Sequence, residues 1–338
     1  MKNIPEQIQL SHGSGGIQSQ MLITELFYSY LKGCVIGGGE DAGVCEISGR
    51  SAISTDGYTI SPLFFPGGDI GKLSVCGSCN DIAMMGAKAK YLSASFMIEE
   101  GFLMQNLKKI IESFSITLKK SGAKLISGDT KVLPRGAIDE IFITTTAIGE
   151  IEYPFLQPSA FKIPSDSAII LSGDIGDHGA VIYSSREGIN LQSDLQSDCE
   201  LLYPMLEPLF MDKIQIYAMR DATRGGIASV LNEWANSSNI GITIEEGKLP
   251  IKDQVKGVCE LLGFEPYNLA NEGMCVLSVA KEDSQKALKL LRTSKTGKNA
   301  QIIGYTHETS PKTVFLQTEY GVKRFLEYPS GELLPRIC

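Results

Sequence analysis

Residues 54–73 read STDGYTISPLFFPGGDIGKL, and this stretch decides which nucleotide folds remain open to the chain. Its start lies in SAISTDGYTI (51–60), short and β-branched as strands are. Its end, PGGDIGKLS (66–74), comes nearest to the phosphate loop G-x-x-x-x-G-K-[ST], but Pro66 stands where the first glycine belongs and Leu73 follows the lysine. The G-x-G-x-x-[GA] match from Gly37 to Ala42 precedes no convincing helix, which argues against a dinucleotide fold. A nucleotide bound here requires another architecture.

Outward from this stretch the chain alternates strands and helices in two halves. In the first, QSQMLITELFYSYL (18–31) carries Met21, Leu22, Leu26 and Tyr30 at helical spacing. Leu103, Leu107, Ile110, Ile111, Phe114 and Leu118 trace a second stripe, which Gly122 stops. GVCEISG (43–49), SAISTDGYTI, AKLISGD (123–129) and IFITTTAIGEI (141–151) read as strands. YPFLQPSAFKIPSD (153–166) has three prolines and no clear period, and marks a boundary. Beyond it, AIILSGDIGDHG (168–179) opens with a buried-looking strand, and Ile227, Val230, Leu231 and Trp234 line a helix face. The strands GITIEEG, MCVLSVA, AQIIGYT and TVFLQT alternate with helices around VKGVCELLG and SQKALKLL. The expectation is a mixed α/β protein with a first domain over 1–153, a linker over 154–166, a second domain over 167–327 and a tail over 328–338.

The chain has 338 residues, of which 43% are hydrophobic and 21% charged, enough for a full core. Its 31 basic and 39 acidic residues give a net charge of -8 with no lysine or arginine run, so nucleic acid and anionic membrane are poor partners. The start has no apolar signal region and no stretch is long enough to span a membrane, so a cytoplasmic protein is expected. Eight scattered cysteines in a reducing compartment read mostly as small core residues. Cys76 and Cys79 form a C-x-x-C, half a zinc site or a redox pair in form, but no second Cys/His group accompanies it.

Glycine and aspartate concentrate in a few loops. HGSGG (12–16) precedes the first expected helix, so that Gly13, Ser14, Gly15 and Gly16 read either as a phosphate-binding loop or as a flexible turn. Asp41 in GGGEDAG, Asp56 in STDGY, Asp81 in CNDIAMMG and Asp129 in SGDTKV each fall at an expected strand end or helix start. One such aspartate is ordinarily a cap or turn residue. Four in one half suggest a shared Mg²⁺ and nucleotide site, because Mg²⁺ takes hard oxygen ligands and bridges them to phosphates. Asp177 and His178 follow a strand in the second half, and His178 is one of only three histidines. Arg220, Asp221 and Arg224 of RDATRGG precede the Trp234 helix and fit either a phosphate contact or a salt-bridged cap.

HGSGG, STDGYTISPLFFPGGDIGKL, NDIAMMGA, SGDTKV, GDHG, RDATRGG, LANEG, YGVKR and a terminal PRIC occur in that order. In this the chain resembles the hydrogenase maturation family HypE, the carbamoyl dehydratases, along nearly its whole length. The resemblance implies the two-domain fold of aminoimidazole ribonucleotide synthetase, with a homodimer built by pairing the first-domain sheets. It implies ATP and Mg²⁺ bound along the first domain near that interface, with Asp129 and Thr130 among the contacts. Cys79 departs from the family pattern, which weakens any essential role for the C-x-x-C.

The resemblance also implies a chemistry. A carbamoyltransferase, HypF, loads a carbamoyl group onto Cys338 as a thiocarbamate, ATP-dependent dehydration converts it to a thiocyanate, and the cyano group passes to iron on a HypC and HypD scaffold. Phosphorylation of the poorly leaving amide oxygen, with loss of the N–H protons, makes dehydration a phosphate elimination. Matching motifs place Lys131 and Glu272 as candidate bases. The tail YPSGELLPRIC, which includes Arg336, has eleven residues and at about 3.3 Å each would reach roughly 35 Å, as a swinging arm requires.

Overall fold

The computed structural model describes residues 5–14, 16–36, 42–188, 194–329 and 336–338. In the first domain a 3-10 turn, Leu10–Gly13, leads into α1 (Ile17–Met21), whose chain continues through a π-helical turn, Leu22–Phe27, into α2 (Tyr28–Tyr30). The expected helix is therefore present with its middle turn widened, and Leu22 and Leu26 are buried as the stripe requires. There follow β1 (Ser51–Tyr58), the short pair β2 (Phe64–Phe65) and β3 (Gly68–Asp69), α3 (Ile70–Met84), β4 (Ala87–Glu99), α4 (Met104–Ser121), β5 (Lys124–Leu133) and β6 (Ile141–Ile151). The sheet order is β1-β6-β4-β5, with β4 and β5 parallel across the α4 crossover and the other pairs antiparallel.

Three sequence expectations change here. GVCEISG forms no strand: it has no ladder partner, and Ser48 is held instead by the Glu150 carboxylate at 3.2 Å from its N–H. The thirteen-residue β4 and the fifteen-residue α3 carry no expected element. Helix α3 is apolar or small around nearly its whole circumference and is buried on nearly all sides, so it lacks the one-sided period that marks a surface helix. Asp81 consequently lies in the last turn of α3, and Asp56 and Asp129 lie within β1 and β5 rather than at strand ends. The α4 stripe is as expected from Leu107 to Leu118, while Leu103 forms the partly exposed N-cap.

The second domain contains β7 (Ala168–Leu171), α5 (Asp177–Arg186), α6 (Tyr203–Met211), β8 (Ile216–Asp221), α7 (Gly226–Ser238), β9 (Gly241–Glu245), α8 (Asp253–Leu262), β10 (Cys275–Val279), α9 (Ser284–Leu291), β11 (Gln301–His307), β12 (Thr313–Gln317) and β13 (Lys323–Phe325). Its seven strands run in the order β13-β12-β9-β11-β7-β10-β8. Alternation along β7 builds two cores: Ile169 and Leu171 join Ile227, Leu231 and Trp234 of α7, while Ala168 and Ile170 join Leu206 and Phe210 of α6 and Leu288 and Leu291 of α9. No described helix is long and apolar enough to cross a membrane.

The two faces of the first sheet differ. One is covered by α3 and α4, with Phe96 buried between Phe27 and Phe114 at ring separations of 5.0 and 5.6 Å. The other carries Ile53, 65% exposed, beside Thr55 and Thr146. Replacing Phe96 by alanine should remove about 3–5 kcal/mol of stability. Denaturant unfolding followed by circular dichroism should show this as a lower midpoint.

Candidate active site

Strand β1, helix α3, strand β8, the start of α7 and the 269–273 turn converge on a cavity of about 380 Å³, whose lining includes Asp56, Tyr58, Asp81, Asp221, Glu272 and Cys338. Gly77 of α3 permits the convergence, because a Cβ there would lie 2.3 Å from the Tyr58 hydroxyl. That hydroxyl joins a buried chain of polar groups, to Ser78 at 3.2 Å and onward from Ser78 to Thr145 at 2.6 Å.

The end of the tail is docked in this cavity. The N–H of Thr59 donates to the main-chain oxygen of Cys338 at 2.9 Å, and that of Ser61 to Arg336 at 3.2 Å. Arg336 returns a bond from Nε to the Thr59 carbonyl at 2.7 Å and pairs with Asp139. Arg186 of α5 donates to the carbonyls of Ser61, at 2.6 Å, and Arg336. His178, fully buried at the start of α5, lies 2.8 Å from the Ile337 carbonyl through Nε2 and 2.7 Å from the Ser197 hydroxyl through Nδ1. A carbonyl only accepts, so Nε2 carries the proton and Nδ1 accepts from Ser197. Burial lowers this imidazole to about 4, which keeps it neutral. Ile337 is buried, and the thiol of Cys338 faces the cavity.

The cavity is acidic. Loss of hydration raises Asp81 to about 7, with Asp221 pushing the same way and Ser54, 2.5 Å from the carboxylate, opposing. Loss of hydration also raises Asp221 to about 6, against the pull of Arg220. Glu272 is 3% exposed, and among the described residues its Oε1 has no hydrogen-bond partner. Desolvation, with Cys199, Asp221 and Asp198 nearby, holds its carboxyl well above the usual range. Burial and Glu272 push the Cys338 thiol up to about 12, with Arg224 opposing. Among the described residues no three His, Cys, Asp or Glu side chains are grouped to hold a metal ion alone. Mg²⁺ bound with a nucleotide needs only one or two carboxylates, because phosphates and water complete its shell, and mutually repelling Asp56, Asp81 and Asp221 fit that need.

The other expected site residues gather elsewhere. Asp129, Thr130 and Lys131 lie on β5, at the opposite edge of the sheet from β1, and Gly13 abuts Val132 of the same strand. Three strand spacings, roughly 14 Å, separate the two edges. Ser95 pairs with Asp129 and Met97 with Lys131, which puts both on the open face, whereas Asp56 shares the α3 face with Tyr58. Lys131 is 63% exposed and 3.5 Å from Asp129. Ser14 and Gly16 flank Gly15, and Gly15 and Asp41 lie outside the described residues. Asp177 is buried against Lys252. Cys76 and Cys79 are buried along α3.

The AIR synthase related protein family matches with its N-terminal domain at residues 39–151 and its C-terminal domain at 165–317. Carbamoyl dehydratase HypE of Escherichia coli (strain K12) is 42% identical over 337 residues, 98% of this chain and 99% of the relative. The crystal structure of hydrogenase maturation protein HypE in complex with ATP has a TM-score of 0.94 at 39% identity and covers 98% of this chain and 99% of its own. The chain belongs to the HypE family of carbamoyl dehydratases. A HypE chain crystallised in a HypE–HypF complex matches at 41% identity with a TM-score of 0.80, over 91% of this chain and 99% of its own.

Within this HypE-family chain, sequence reasoning missed Tyr58, Asn80, Arg186, Ser197 and Asp198. Each acts through contacts with residues well separated along the chain; Tyr58, inside STDGYTISPLFFPGGDIGKL, and Asn80, inside NDIAMMGA, fell in stretches already singled out, whereas Arg186, Ser197 and Asp198 did not. The docking bonds predict slow access to the thiol. Arg186→Ala, which removes a cation from two carbonyls, should speed alkylation of Cys338 by iodoacetamide about tenfold or more. Mass spectrometry of the carboxy-terminal peptide over time measures the rate.

Proposed function

We propose that this carbamoyl dehydratase of hydrogenase maturation works on a thiocarbamate carried by Cys338 and converts it, with ATP, to a thiocyanate. The observation that carries the reading is Cys338 docked in one cavity with Glu272, whose Oε1 has no hydrogen-bond partner among the described residues, and with Asp81 and Asp221. Thr59, His178 and Arg186 hold the main chain on either side of the reacting sulfur, so the carbamoyl group enters in a fixed orientation. Glu272, in its ionised form, takes a proton from the carbamoyl nitrogen. The carbamoyl oxygen, phosphorylated by ATP, leaves as part of phosphate and the second N–H proton passes to water, so that ADP, phosphate and the thiocyanate form and the carbamoyl group loses one oxygen and two hydrogens. Asp56, Asp81 and Asp221 would hold Mg²⁺, whose charge offsets that of the transferring phosphoryl group.

A thiol held near 12 by burial is unreactive in the docked state, so loading takes place with the tail withdrawn, on a carbamoyltransferase of the HypF type. A HypC–HypD complex then receives the cyano group. Incubation with HypF and carbamoyl phosphate should add one carbamoyl group to Cys338, and ATP should then remove the mass of one water. Glu272→Gln should slow that second step about 10²–10⁴-fold. Because loss of hydration raises Glu272, it stays protonated beyond the ordinary carboxylate range and serves as a base only when ionised, so the rate should climb with pH above that range. Carbamoylation elsewhere, or no mass loss with ATP in an otherwise active protein, defeats the reading.

The β5 residues enter through a homodimer. The uncovered face of the first sheet, with exposed Ile53, supports face-to-face pairing of two copies. A two-fold axis along the strands sets β5 of one copy over β1 of the other, and brings Asp129 and Lys131 of the open face to the edge strand whose opposite face lines the partner's tail cavity. Lys131 then binds phosphate or serves as a second base in trans. Mixing inactive Cys338→Ser and Lys131→Ala chains should restore dehydration, because one site of the mixed dimer has both groups. Sedimentation at micromolar concentration should show a dimer, and an active monomer would contradict the pairing.

A further inference from the structure

Glu272 lies in a turn just before β10 and belongs to no regular element. Among the described residues its Oε1 has no hydrogen-bond partner. Its main chain, by contrast, is held on both sides. The Asp198 carboxylate accepts the N–H of Glu272 at 3.0 Å and that of Gly273 at 2.9 Å. The Glu272 carbonyl accepts from Nδ2 of Asn80 at 3.3 Å and from the N–H of Glu200 at 3.4 Å. Gly273 closes the arrangement, since a Cβ there would lie 1.7 Å from the Asp198 carbonyl oxygen.

Asn80 does more than meet that carbonyl. It is 2% exposed on α3, donates to the Glu200 carbonyl at 3.0 Å and accepts the N–H of Leu202 at 2.8 Å. One side chain thus joins the first-domain helix to two separate segments of the second domain. A carboxamide is the group that supplies both N–H donors and an acceptor here; a carboxylate of the same shape would face two carbonyl oxygens with no hydrogen to offer. The next residue along α3 is Asp81, in the cavity lining with Cys338.

We propose that Asn80 is a positioning residue, whose carboxamide sets Glu272 in register with Asp81 and the docked Cys338 across the domain seam, with Asp198 as its counterpart on the N–H side. The inference rests on Glu272 acting as the base. A carboxyl freed from this hold gains water, ionises more readily and loses its aim at the carbamoyl nitrogen.

The test uses full-length protein loaded on Cys338 by HypF and carbamoyl phosphate, then given ATP for a single turnover followed by loss of one water. Asn80→Ser and Asp198→Asn should each lower the rate per folded protein about tenfold or more. The ATP concentration for half-maximal rate should stay at the parent value. The acid limb of the pH–rate profile should move to lower pH, because a hydrated Glu272 ionises earlier. A merely structural role would lower the thermal midpoint and leave rate and profile alone, which would overturn the proposal. If Asn80→Ser does not fold, Asp198→Asn cuts the other half of the hold and decides. Glu272→Gln separates the two readings: at the parent rate it defeats the base itself, whereas a slow Glu272→Gln beside unimpaired Asn80→Ser and Asp198→Asn defeats only the positioning role.

Discussion

Helix α3 is enclosed on nearly every side, and the site depends on that enclosure. It packs on the first sheet and α4, while Ala83 and Met84 near its end join the core of the second domain with Leu202, Met205 and Phe210. A helix apolar or small around its circumference cannot face water without loss, so both domains must close on it. Gly77, Asn80 and Asp81 then occupy fixed positions between the domains. Through them the helix sets where the tail docks, where the 269–273 turn lies and where the acidic groups collect.

The end of the tail, residues 336–338, is a different kind of structure, held mainly by hydrogen bonds to its main chain. Among the described tail residues only Ile337 is deeply buried, while Arg186, His178 and Thr59 bond to carbonyl groups that any sequence would present. Such docking is specific for position and weak enough to release, because each neutral bond contributes only about 0.5–1.5 kcal/mol net. A carrier thiol needs both properties. The same burial that presents Cys338 to Glu272 suppresses its nucleophilicity, so loading and dehydration are separated in space by one physical cause.

Charge in the cavity is unbalanced. Asp56, Asp81, Asp221 and Glu272 share it, and their mutual repulsion and loss of water raise Asp81, Asp221 and Glu272. Asp198, a fifth acid, is raised to about 7 by burial while accepting two N–H bonds, which identifies it as a support for the turn. Folding stability is spent on keeping these acids close with only Arg220 and Arg224 as cations in the lining, a pattern expected where a cation or a transferred group completes the set.

Much was legible without coordinates. The stripes of α4 and α7 follow from helical period, and five of the seven second-domain strands from β-branched runs, β8 and β13 excepted. Residues whose function depends on local spacing are readable because neighbours in sequence are neighbours on one face. Helix α3 was not readable, since a helix buried all round has no period, and β4 was not, since its extent is fixed by partners on either side. The sequence grouped Asp56, Asp81 and Asp129 by type, while the structure keeps Asp56 with Asp81 and sets Asp129 on the far edge and the other face. Which residues meet across long chain separations, as Asn80 meets Glu272 and His178 meets Ile337, depends on how two domains pack, and pairwise patterns along one chain carry no record of it.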